Sequence, residues 1–199
     1  MRSIVGYYGT SKSRAQSIMA GTSDFPISRS PGDWLGRGIY FWQDAPTRAE
    51  VWAKFRCASS GEEPAVLSAD ISLERCVDFF DLKHFRELRK ACPRFEKYEQ
   101  GKGLSSSQAE LRVAGGRVFT SDDPNPDPRT RKQILNNKDR ALIDWYVESL
   151  RSSGYQVGSV RGIFLDGQAI FAESFLFDWS HVQVAVLERS VISNLRIVV

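Results

Sequence analysis

The stretch Gly36-Arg37-Gly38-Ile39-Tyr40-Phe41 decides how the rest of the chain reads. A Gly-x-Gly turn runs into apolar and aromatic residues that suit a half-buried strand. Upstream, Val5-Gly6-Tyr7-Tyr8-Gly9-Thr10 is a second strand-like run that also closes on tyrosine and glycine. Glycine has no side chain to clash, so a backbone can approach a ligand closely there. A tyrosine ring opposite it supplies a flat stacking face. Between the two runs a small planar amide would fit.

Outward from this pair the chain alternates strands and short helices. Residues 3–8 read as a strand, and a helix over 13–20 stops at Gly21, a good C-terminal cap. The Ser, Pro and Gly content of 22–32 reads as a loop. After the tyrosine strand, Asp44 is expected to N-cap a helix with Pro46 in its first turn and Ala49, Trp52 and Ala53 on its apolar face. Residues 65–71 form a further strand. Leu82, Phe85, Leu88 and Cys92 recur at three- and four-residue spacing before Pro93, which predicts an amphipathic helix with Lys83, Arg86, Arg89 and Lys90 on its wet side. Residues 101–128, rich in Ser, Gly, Asp and Pro, read as a long connection. Arg129, Arg131, Lys132, Lys138 and Arg140 then make a second basic cluster, entering a helix with Leu142, Trp145, Tyr146 and Leu150 at helical spacing. Strands are expected at 158–165, 168–172, 181–187 and 195–199.

Composition limits the classes of function. At 199 residues, with 42% hydrophobic and 26% charged content and a net charge of +3, the chain suits one globular domain, or one with an insertion. No apolar run approaches the roughly 18 residues of a membrane span. Arg2 leads straight into a strand rather than a signal peptide, so a cytoplasmic protein is expected, with no membrane partner. Cys57, Cys76 and Cys92 are odd in number and lack metal-type spacing, and the two histidines are far apart, so neither a disulfide framework nor a metal site is expected.

The segments Tyr7-Tyr8-Gly9-Thr10 and Trp34 to Phe41, with Ala15, Ile18 and Gly21 between them and Ala49 after them, resemble the front of the NAD-binding core of ADP-ribosyltransferases, in the diphtheria-toxin and poly(ADP-ribose) polymerase branch. Gln183 to Leu187 followed by Val191 to Val199 can be laid on the two strands that close that core. The resemblance implies an α+β fold, two packed, mostly antiparallel sheets with an NAD cleft between them and flanking helices. It spans 1–199 as a single domain with a helical and loop insertion at about 78–138. It implies that Tyr8, Gly9, Thr10, Gly38 and Tyr40 hold NAD, the reaction's substrate, and that Arg29 and Arg37 in the loop before the tyrosine strand meet its diphosphate, since guanidinium binds phosphate in bidentate fashion.

The departures from that pattern govern the expected chemistry. Tyr8 stands where the branch has the histidine that holds the adenosine ribose, Arg48 where it commonly has serine, and Val51 where it has a second stacking tyrosine. Gln183 occupies the place of the catalytic glutamate, so the expected His-Tyr-Glu set reads Tyr8, Tyr40, Gln183. Breaking the nicotinamide–ribose bond builds positive charge on the sugar, which a carboxylate about 4 Å away stabilises by about 4 kcal/mol at an effective dielectric near 20. That is roughly three decades in rate. An amide keeps the hydrogen bonds and loses the charge, and it is no base at neutral pH. Glu173, Glu188 and Asp166 are the neighbouring carboxylates in sequence, and His181, on the same strand face as Gln183 by period-two alternation, is the candidate for the missing base.

The catalytic candidates are therefore Tyr40, Gln183 and His181, with no metal. The chemistry expected is transfer of a single ADP-ribose to nucleic acid, RNA or DNA, tracked by the basic residues Arg129, Arg131 and Lys132 and by the cluster at 83–90. A small transferase of this kind resembles intracellular toxins of toxin-antitoxin and phage-defence systems, a class that implies an antitoxin or chaperone partner. The alternatives are a protein acceptor, or a silent module that binds NAD or ADP-ribose without chemistry. An RNA 2′-phosphotransferase shares the implied fold but needs basic and histidine residues that find no match here.

Overall fold

Strand β1 (Ser3–Ser11) lies inside the sheet because its neighbours pair with it on both edges. The computed structural model describes residues 2–28, 33–101, 111–112, 118–119 and 128–198, with backbone alone at 111–112, 118–119 and 128–136. Its further elements are α1 (Lys12–Met19), β2 (Ile39–Gln43), α2 (Pro46–Cys57), β3 (Pro64–Ser72), β4 (Cys76–Asp78), α3 (Leu82–Gly101), β5 (Leu111–Arg112), β6 (Val118–Phe119), α4 (Pro128–Ser152), β7 (Ser159–Phe164), β8 (His181–Val186) and β9 (Ile192–Ile197). The protein is thus α+β. Where two packed sheets were expected, the main strands join in one seven-stranded sheet of order β4-β7-β8-β2-β1-β3-β9, and β5 and β6 form a separate two-stranded ribbon. The pairings in the main sheet are antiparallel except β4 with β7.

The chain divides into two compact units. The first comprises Met1–Ile27, Gly38–Phe80 and Val157–Val199 and contains the main sheet with α1 and α2. Its core lies on one sheet face, where Phe41, Leu67, Ile71, Val184 and Val186 are buried with Ala15 and Ile18 of α1. Helix α1 ends as expected, with Gly21 in the left-handed region at φ 71°. Helix α2 covers β1 from the other face. A Cβ built on Gly9 would stand 2.2 Å from the Ala49 carbonyl oxygen, so glycine in the strand and the buried Ala49 and Ala53 in the helix allow the two backbones to touch. Asp44 does not cap this helix. It takes φ 50°, and Ala45 occupies the cap position without a side-chain bond.

The second unit comprises Ser28–Arg37 and Asp81–Gln156 and contains α3 and α4. Helix α3 runs through Pro93 instead of ending there. An interior proline costs about 3 kcal/mol, and the packing beyond it offsets this: Phe95 is buried with its ring 5.7 Å from Trp145 of α4, and Tyr98 lies 6.2 Å from the same indole. Leu82 and Phe85, expected on the buried side, are exposed, because the face that meets α4 is centred on Phe95. Ile143, Tyr146 and Val147 form the buried side of α4.

The segment between β7 and β8 also departs from expectation. Residues 168–172 do not form a strand and keep only an isolated bridge, Ala169 with Phe177. Gly167 and Glu173 take φ of 85° and 67°, and the Asp178 carboxylate accepts the Gln168 N–H at 2.8 Å. A side chain that bonds nearby backbone in this way competes with strand pairing.

Candidate functional site

Register brings three of the expected residues to one face. Tyr40 pairs with Ala185 and Trp42 with Gln183 across β2 and β8. Gln183 pairs with Gly162, and His181 with Phe164, across β8 and β7. Side chains alternate along strands, so Tyr40, Trp42, His181 and Gln183 share the face opposite the buried Phe41, Val184 and Val186. Gln183 is the diagonal neighbour of Tyr40, a relation that spans roughly 7 Å. Gly162 opposes Gln183 without a side chain. Gly38 makes a close approach of its own: a Cβ there would lie 2.9 Å from the Val186 carbonyl oxygen.

Arg48, in the first turns of α2, meets this face at His181. Its Nη2 donates to the Trp179 carbonyl at 2.7 Å, contacts His181 Nδ1, and lies 3.8 Å from the Asp166 carboxylate. Its guanidinium also covers the Trp179 ring, 4.6 Å from the centroid. Burial pushes the Arg48 pKa down, opposed by Asp166 and Asp178. His181 Nδ1 stands 2.8 Å from the Trp179 carbonyl as well, but one nitrogen cannot accept from Arg48 and donate to a carbonyl at once. Guanidinium has no acceptor atom, so accepting from Arg48 places the ring proton on Nε2, whereas donating to the Trp179 carbonyl places it on Nδ1. Either way the Nδ1 of the base expected at His181 is engaged within this cluster. The Phe164 ring, 5.5 Å away, flanks the imidazole.

Of the three carboxylates named from sequence, Asp166 alone reaches this cluster among the described residues. Glu188 pairs with Arg75 at 2.7 Å, and Glu173 sits exposed at a positive-φ turn position. The remaining expected residues lie elsewhere. Tyr8 turns to the core face, edge-on to Phe25 at 5.1 Å and 5.7 Å from Phe41, and burial raises its phenol pKa. Thr10 is buried, and Gly9 lies under α2. Arg37 belongs to the second unit, where its backbone N–H donates to Asp144 at 2.7 Å and its Nε is 3.6 Å from the same carboxylate. Arg29 lies outside the described residues, as do the side chains of Arg129, Arg131 and Lys132, whose backbone is in α4.

Sequence reasoning missed the contacts of Arg48 and Trp179 with His181. Arg48 registered only as a departure from serine, and its partners are more than a hundred residues away in the chain. Among the described residues, no group of three His, Cys, Asp or Glu side chains is placed to hold a metal ion, and no helix is long and apolar enough to cross a membrane. The fold and the face together define an α+β protein with a polar, aromatic-walled cluster on its mixed sheet. No protein-family model, curated protein or solved structure matches the chain.

Proposed function

We propose that the protein is an NAD-dependent mono-ADP-ribosyltransferase that modifies nucleic acid, acting inside the cell as a toxin or phage-defence effector. The observation that carries this reading is the shared face of Tyr40 and Gln183, which the resemblance assigns to one reaction centre, with His181, picked out by strand alternation, on the same face. The finer architecture, an ADP-ribosyltransferase-like fold with an NAD cleft in one domain with an insertion at about 78–138, is part of the same proposal.

In this reading the nicotinamide ring stacks on Tyr40. The Gln183 amide bonds the ribose hydroxyls and holds the sugar while the glycosidic bond breaks, its electron pair leaving with nicotinamide. The acceptor forms the new bond to the same carbon and gives up a proton. Arg48 is a fork of donors suited to diphosphate oxygens, held by Asp166 at 3.8 Å, a separation longer than a tight bidentate pair. Asp166 stands in part for the missing carboxylate, but its charge is offset by Arg48, which favours a slow transferase of single units over chain elongation.

The same pairing favours a second reading, a module that binds NAD or ADP-ribose without turning it over, because the carboxylate beside His181 faces a cation. Incubation with radiolabelled NAD and separate pools of RNA, DNA and protein separates these. Nuclease-sensitive label supports the proposal, protease-sensitive label moves the acceptor to protein, and NAD binding without label in any pool leaves the silent module.

A further inference from the structure

Continuation of α3 through Pro93 adds Arg94 and Lys97 to the helix that carries Lys83, Arg86, Arg89 and Lys90. At 3.6 residues per turn, Lys83, Arg86, Lys90, Arg94 and Lys97, spaced by three and four, fall in one stripe along the helix, with Arg89 at its flank. All six are exposed, and none forms an ion pair with a described residue. Of the carboxylates of α3, Glu96, 3.9 Å from the Cys92 thiol, and Glu99 lie off the stripe, and Glu87 borders it, accepting from the Tyr146 hydroxyl at 3.4 Å. Phe95, on the other side of the helix, is committed to α4. The stripe runs about 21 Å at 1.5 Å per residue, enough to face several phosphates of one strand.

We propose that this stripe of α3 is a docking surface for the phosphodiester backbone of nucleic acid. Five aligned cations, none ion-paired with a described residue, repel one another, and phosphates relieve that repulsion while releasing counterions. The surface reads charge rather than sequence, since phosphate contacts position a strand without identifying its bases. An anionic membrane suits it less, because a membrane-surface helix buries its apolar face in lipid and Phe95, on that face of α3, is already buried against Trp145 of α4. As a device for presenting the acceptor, the stripe rests on the transferase reading. As a binding surface it does not, and binding is measured without NAD.

The test is fluorescence anisotropy of the whole chain with labelled single-stranded RNA and DNA of about 20 nucleotides, across a salt series. The variants are Arg86→Glu/Lys90→Glu/Arg94→Glu and the milder Arg86→Gln/Lys90→Gln/Arg94→Gln, each checked for an unchanged thermal transition. Wild type should bind with steep salt dependence. Loss of three phosphate contacts should lower the slope of log K against log salt by about 2 and weaken binding at least about tenfold at low salt. Binding by both variants equal to wild type overturns the proposal, as does absence of wild-type binding to either polymer. Binding to phosphatidylserine vesicles in place of nucleic acid overturns it in favour of a membrane. Retained nucleic-acid binding with no label transfer from NAD refutes the transferase reading and leaves the docking surface standing.

Discussion

Replacement of Arg48 by methionine removes the guanidinium and keeps an unbranched stem, so it tests whether this residue organises the face of Tyr40, His181 and Gln183. The bond to the Trp179 carbonyl at 2.7 Å is of the charged kind, about 1.5–3 kcal/mol. The Asp166 contact at 3.8 Å has a Coulomb energy of about 4 kcal/mol at an effective dielectric near 20. Asp166 is 34% exposed, and solvent screening leaves about 1 kcal/mol of this. The cation over the Trp179 ring contributes about 0.5–1 kcal/mol more. Relief of the burial that lowers the Arg48 pKa acts in the opposite direction, and the contributions share one group and do not add. The net expectation is a loss of about 1–3 kcal/mol. Urea unfolding reads it as a lower midpoint at unchanged slope, and Arg48→Lys, which keeps the charge without the fork, should fall between. Nitrogen NMR of the His181 ring supplies a readout that stability alone does not: an organising Arg48 predicts the ring proton on Nε2 in the wild type and on Nδ1, bonding the Trp179 carbonyl, in Arg48→Met. Stability within about 0.5 kcal/mol of wild type, with the ring tautomer unchanged, would refute the assignment of Arg48 as the organising residue.

Gly9→Ala places a Cβ 2.2 Å from the Ala49 carbonyl oxygen and 3.1 Å from the Ala53 nitrogen, and should cost about 3 kcal/mol or more by forcing α2 off β1; a thermal transition at the wild-type temperature would contradict that packing. Burial pushes the Cys76 thiol up from 9.0 to about 11, so the folded state holds this proton more tightly than the unfolded chain. Its stabilisation, about 3 kcal/mol, is fully present below the unfolded value and is lost as pH rises through the folded one. The stability of Cys76→Ala should therefore fall less steeply than wild type between about pH 9 and 11, with the residual slope including that of Tyr8, whose pKa is also raised; parallel curves in urea melts at stepped pH would remove Cys76 from the account. Phe95→Ala opens the α3–α4 contact and should cost about 3–5 kcal/mol, read by tryptophan fluorescence as earlier exposure of Trp145; an unshifted transition would mean that α3 is not held by this residue.

The strands around β1 were legible because their apolar and aromatic composition is dense, and Gly21 ended α1 where a left-handed cap was needed. What sequence could not supply was which side of a strand faces which layer. Tyr7 and Tyr8 are adjacent and chemically alike, and only the register of β1 with β2, Tyr7 against Trp42, sends Tyr8 to the core face. Gly9 signalled close approach correctly, but the approaching backbone is that of α2. At Pro93 a strong local signal was overridden by packing made later in the chain, at Trp145. β4, only Cys76–Asp78, is too short to show periodicity, and it is fixed by parallel pairing with β7 and by Asp78, which accepts from the buried Arg161 at 3.0 Å. The Arg48 cluster was invisible for the same reason, since it joins a helix to a loop across the sheet.

The most direct test of the transferase account is nicotinamide release from NAD with nucleic acid present, compared between wild type, Tyr40→Ala and Gln183→Glu. The account predicts slow release by wild type, loss of about two decades or more in Tyr40→Ala as the stacking face disappears, and faster release in Gln183→Glu as the restored carboxylate stabilises the charge on the sugar. Release by Tyr40→Ala at the wild-type rate would contradict the account, and turnover that appears only in Gln183→Glu would identify the native chain as a binding module.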